Sequence, residues 1–164
     1  MKRVISILCL LSVLLPPALA LAETVTMTSL DWPPYTGETL PGKGASTGIA
    51  AAAFKAAGFA FAVEFYPWKR AVQTGKMDGY AGYFPEYLSD DIGKEFDFSE
   101  PMGTSPLGFI ESVDKPIPWT TLADLKGRVI GVVSGYVNTA KFDAKAAAGE
   151  LTIEEVVNDA ANIK

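Results

Sequence analysis

The chain has 164 residues, with 19 acidic against 14 basic side chains, a net charge of -5, one cysteine and no histidine. Those counts exclude Ser-His-Asp and Cys-His catalysis, imidazole metal ligation and zinc-thiolate clusters, because the groups that such chemistry needs are absent. Nucleic acid and anionic membrane are excluded as partners, since both need a basic face and the positive charges here are scattered.

Lys2 and Arg3 precede an apolar run from Val4 to Leu15 that is too short to span a bilayer and is broken by Pro16 and Pro17. The small residues of Ala18-Leu19-Ala20 and Ala20-Leu21-Ala22 form overlapping cleavage sites, so residues 1–22 read as a signal peptide cut after Ala22 rather than as a retained anchor. Cys9 lies inside that apolar core, without the small residues that precede a lipid-attachment site, and the mature chain therefore has no cysteine. Cleavage leaves 142 residues with 12 basic and 19 acidic side chains, a net charge of -7. Such a chain is expected in a periplasm, where an outer membrane retains a soluble protein that carries no lipid.

Thr24 to Leu30 is a short β-type run, followed by a turn-rich loop from Asp31 to Gly44. Thr47 to Ala57 reads as a helix closed by Gly58, and Phe59, Phe61, Val63 and Phe65 then alternate with smaller or polar residues at strand period. A second helix starts at Pro67, puts Trp68, Ala71 and Val72 on one face and stops at Gly75. Met77 to Phe84 is expected to return as a third strand. This alternation predicts an open α/β sheet with parallel neighbours, whose ligands lie at the strand carboxyl ends.

After a polar segment from Pro85 to Glu95 come Phe96 to Ser99 and Leu107 to Ser112, and two prolines within Val113 to Trp119 mark a crossing to a second unit. There the theme restarts, with a short helix at Leu122 to Leu125, a strand Val129 to Val133, a helix from about Val137 to Ala148 and a strand Leu151 to Val156. Asn158 or Asp159 can cap a further helix. The division is a signal peptide over 1–22, a first α/β lobe over 23–112 and a partial second lobe over 113–164.

The order of Asp31-Trp32-Pro33-Pro34-Tyr35, Gly48-Ile49 at a helix start, Gly75-Lys76-Met77-Asp78-Gly79, Phe98-Ser99-Glu100-Pro101, and Leu122-Ala123-Asp124-Leu125-Lys126-Gly127 before Val129-Ile130-Gly131-Val132 resembles the periplasmic amino-acid-type (family 3) solute-binding proteins. The resemblance implies two α/β lobes joined by a hinge and a small polar ligand closed between them. It further implies a monomer without cofactor or metal that delivers its ligand to an ABC transporter permease in the inner membrane, with the second lobe cut short. Amino-acid binders of this kind carry an arginine for the ligand carboxylate in the loop before the Phe-Ser-x-Pro motif. Here that loop reads Pro85-Glu86-Tyr87-Leu88-Ser89-Asp90-Asp91, and the nearest upstream guanidinium is Arg70.

The candidate ligand-binding residues are Trp32, Tyr35, Trp68, Arg70, Gly82, Tyr83, Ser134, Gly135 and Tyr136. Trp32 and Tyr35 follow the first strand on a proline-stiffened loop, either to stack on a ligand or to cover the core. Gly82 and Tyr83 end the expected third strand, where Tyr83 fits a cleft wall and a core position equally. Arg70 fits a ligand clamp and a solvated surface equally. Ser134, Gly135 and Tyr136 join a strand to a helix, so their backbone N–H groups are expected to receive an anionic ligand group. The stretch Gly37-Glu38-Thr39-Leu40-Pro41-Gly42-Lys43 imitates a phosphate-binding loop, but Gly44 stands where a magnesium-ligating hydroxyl is needed. The competing function is a lyase or dehydratase on the same bilobed fold with Glu86 as general base.

Overall fold

A computed structural model describes residues 22–163. The expected signal peptide, up to Leu21, lies outside the described residues. The first half is built on two parallel strands, β1 (Thr24–Ser29) and β2 (Ala60–Phe65), in register from Thr24 opposite Ala60 to Ser29 opposite Phe65. Helix α1 (Ala45–Ala56), drawn from an alanine-rich stretch of high helix propensity, connects them. Phe61, Val63 and Phe65 fall on one face of β2, as their alternation predicts, and pack with Ala50, Met27 and Phe84. Phe54 of α1 stacks on Phe61 at 5.1 Å.

Helix α2 (Trp68–Gly75) turns Trp68, Ala71 and Gly75 inward against β1. Gly75, the expected stop signal, is the last residue of the helix and permits a close approach. A Cβ there would stand 2.9 Å from the Gly82 carbonyl carbon and 3.1 Å from Thr28 Oγ1. The fully buried Thr28 hydroxyl donates to Ala71 O at 2.7 Å and so joins strand to helix.

Met77 to Phe84 does not form the expected third strand. Met77 and Tyr80 donate to Thr74 O and Met77 O in turns that unwind α2, which leaves only Ala81 to Phe84 to reach β1. Their contact is an irregular parallel bridge, Thr28 opposite Tyr83, carried by Ala81 N to Thr26 O, Thr28 N to Gly82 O and Phe84 N to Thr28 O.

In the second half, β3 (Val129–Val133) and β4 (Thr152–Val156) pair in parallel, joined by α3 (Ala140–Ala147) and followed by the short α4 (Asp159–Asn162). Leu125, Phe142 and Leu151 form its buried core. Helix α3 starts three residues later than expected. Thr139 caps it by accepting from Phe142 N at 3.3 Å, while Asn138 donates from backbone and side chain to Asp143, holding Val137 and Asn138 outside the helix. The expected cap of the last helix is Asn158, whose Oδ1 accepts from Ala161 N at 2.8 Å. Among the described residues no helix is long and apolar enough to cross a membrane.

Candidate ligand-binding site

The two halves meet where α2 begins. Trp68 is 5% exposed, and its indole Nε1 donates to Gly135 O across the junction at 2.8 Å. Its ring also meets Tyr136 edge-on at 5.8 Å and Tyr83 at 5.3 Å. Lys69 reaches Glu155 of β4 at 3.4 Å, a solvent-exposed pair. Beside this junction opens a small cleft lined by Leu30, Trp32, Trp68, Pro85, Glu86, Tyr87, Tyr136 and Val137.

Three of the expected residues, Trp32, Trp68 and Tyr136, line this cleft together. Trp32 is held by reciprocal backbone bonds with Thr36, and Thr36 is itself anchored by its buried hydroxyl on Leu30 O at 2.8 Å. Tyr35 is packed on Trp32 at 4.5 Å, outside the lining, as a support for that ring. Tyr83 lies behind Trp68 with only 8% exposure and donates its hydroxyl to Glu86 at 2.9 Å. Gly82 is buried, and its carbonyl is spent on Thr28 N. Arg70 stands 4.8 Å over the Tyr66 ring, outside the cleft lining.

The Ser134–Tyr136 turn differs from its expected role. It is not a helix N-terminus, since α3 starts at Ala140, and two of its N–H groups are already used: Ser134 N donates to Val156 O and Tyr136 N to Val133 O. Carboxylates flank it as well. Ser134 Oγ donates to Glu155 and Tyr136 OH to Asp159 at 3.1 Å, which makes the turn a poor receiver of negative charge. The Ser134 hydroxyl, with Lys69 behind it, holds the Glu155 carboxyl below its ordinary pKa. Gly135 has φ +85, a conformation that side chains avoid, and a Cβ there would stand 3.0 Å from Lys69 Cγ.

Tyr87 is the cleft residue that sequence reasoning left out, while Glu86 was considered there only as a general base and not as a ligand-binding residue. The Glu86 carboxylate accepts from Tyr83 OH and from Tyr87 N at 2.7 Å, and burial raises its pKa above the ordinary carboxylate value. Burial also pushes the phenols of Tyr83 and Tyr136 up, so both remain neutral donors. The available signal was the Pro85-Glu86-Tyr87 sequence, where a carboxylate and an aromatic follow a stiff residue directly after the bridge to β1. The stretch from Gly37 to Gly44 that imitates a phosphate loop uses its own donors: Gly37, Leu40, Lys43 and Gly44 all donate to carbonyls inside it.

No family model matches the chain, and no curated protein matches it. Among solved structures it is similar to an ancestral arginine-binding protein bound to arginine, with a TM-score of 0.59 and 19% sequence identity over 85% of this chain and 63% of that one. The fold is therefore mixed α/β and periplasmic-binding-protein-like. The chain spans less than two thirds of the length of that structure.

Proposed function

We propose that the protein is an extracytoplasmic solute-binding receptor, monomeric and non-enzymatic, which captures a small polar solute such as an amino acid or a related organic compound. It releases that solute to an ABC-type permease of the inner membrane. The observation that carries this reading is a cleft whose walls come from both halves of the chain: Trp32, Trp68, Glu86 and Tyr87 from the first, Tyr136 and Val137 from the second. A division of the lobes near residue 112 belongs to the same reading, as does export by residues 1–22. The arginine carried by the structural neighbour supports a polar organic ligand. A solute that touches both walls binds the closed arrangement better than the open one and shifts the population towards it.

The enzymatic alternative rests on Glu86. Among the described residues it is the only carboxylate that lines the cleft, and no amine lines it with Glu86 to act as a partner acid. Thermal-shift and calorimetric screening against amino acids, organic acids and polyamines separates the two. A receptor gains stability with its solute and returns it unchanged. Trp32→Ala is expected to lose about 1 to 3 kcal/mol of binding, as for a packed aromatic anchor, without unfolding the chain. Chemical conversion of the recovered solute, or unchanged affinity in the Trp32 variant, would refute the receptor reading at this cleft.

A further inference from the structure

The cleft has a charge preference written into its walls. Four of its eight lining residues are aromatic, Trp32, Trp68, Tyr87 and Tyr136. Trp32 meets Tyr87 at 73° with centroids 6.5 Å apart, and Trp68 meets Tyr136 at 88° and 5.8 Å, so each pair packs edge to face. Among the described residues the one charged group in the lining is Glu86. Neither nearby cation takes part: Lys69 is drawn to Glu155, and Arg70 lies on Tyr66. At the far wall the Ser134 and Tyr136 N–H groups are spent on carbonyls, and Asp159 lies one hydrogen bond behind the Tyr136 hydroxyl.

We infer, resting on the receptor reading above, that the cleft selects an organic cation whose onium group sits among Trp32, Trp68, Tyr87 and Tyr136 with Glu86 as its counter-charge. Aromatic faces and a carboxylate both attract positive charge and both disfavour an anion. Few acceptors line the cleft, so a compact primary ammonium would lose its strong hydration for little return. A quaternary ammonium or guanidinium group spreads its charge, is weakly hydrated and can exchange water for ring faces at small cost. Glu86 is fixed for this role by the Tyr83 hydroxyl at 2.9 Å and Tyr87 N at 2.7 Å, which aim the carboxylate and leave further lone pairs for a ligand. The loop in which the sequence resemblance leads one to expect an arginine for a carboxylate thus presents the opposite charge.

Two matched pairs test this by calorimetry with the full chain at constant ionic strength: choline against dimethylbutanol, its uncharged carbon isostere, and arginine against citrulline. Choline or arginine is expected to bind about tenfold or more tighter than its neutral partner and to change tryptophan fluorescence. Binding of choline alone assigns a quaternary ammonium, and of arginine alone a guanidinium. Glu86→Gln, whose amide oxygen can still accept from Tyr87 N while its NH2 donates to the Tyr83 hydroxyl oxygen, should remove most of the preference. Neutral partners that bind as tightly as the cations, or the failure of both cations, would overturn the inference. If both cations fail while another solute stabilises the chain in a Trp32-dependent way, the receptor reading survives without the charge preference. If no solute of any class binds, both fall.

Discussion

Around β1 the fold is tied down by polar side chains that no water reaches. Thr28, Ser29 and Thr36 are fully buried, and their hydroxyls donate to the carbonyls of Ala71, Phe84 and Leu30, binding helix, bridge and loop to one strand. In the second half β4 is exposed at four of its five residues, and burial is concentrated in Leu125, Val133, Phe142 and Leu151. The same parallel two-stranded plan therefore gives a rigid half and a lightly held one. The rigid half supplies six of the eight cleft residues, whereas the lighter half contributes Tyr136 and Val137. A wall that must move in order to admit a solute belongs to the part with the smaller core, because local opening there costs less.

The largest expected effect comes from the residue that joins the two halves. Trp68→Ala removes an almost fully buried indole and its bond to Gly135 O, and should cost about 3 to 5 kcal/mol of stability in chemical denaturation. A loss under about 1 kcal/mol would mean that the halves are not coupled through α2. Next, Phe142→Ala should accelerate amide exchange across β3, α3 and β4 while β1 and β2 keep their protection, at a local cost of about 3 kcal/mol. Equal acceleration in both sheets would show a single cooperative unit and break the contrast.

A smaller effect concerns pH. Burial raises the Glu86 pKa in the folded chain, so the folded state binds more protons than the unfolded state between the two values, and stability falls as pH rises through the folded one. Burial holds the neighbouring Tyr83 and Tyr136 phenols neutral, so they do not reverse that sign. Glu86→Gln should therefore raise the melting temperature near neutral pH and flatten the loss of stability as pH rises above the ordinary carboxylate range, even as it weakens cation binding. A lowered melting temperature would show that the carboxylate is more valuable to the fold than to the cleft. The smallest effect is expected at the surface: Lys69→Ala breaks the exposed pair with Glu155 and should leave the melting temperature unchanged.

The sequence by itself determined the chemistry that is ruled out and the positions of most elements. Strand alternation in Phe61, Val63 and Phe65, the Trp68 and Ala71 face of α2, and the β3 run are periodic signals that survive folding because one face of each element must be buried. It also brought Trp32, Trp68 and Tyr136 into consideration through their places at element ends. Only the tertiary structure decided the rest. Whether Met77 to Phe84 could pair along its whole length depended on the turns that unwind α2, and whether the Ser134–Tyr136 turn could hold an anion depended on where its N–H groups went. Glu86 and Tyr87 lie in a loop with no period, where the stiff Pro85 before them is a weak signal that does not by itself separate a cleft residue from a solvated one. Their role follows from the Tyr83 hydroxyl and the Trp32 ring, brought beside them by the bridge to β1 and by the anchored Trp32 loop, contacts that form only when distant parts of the chain are packed together.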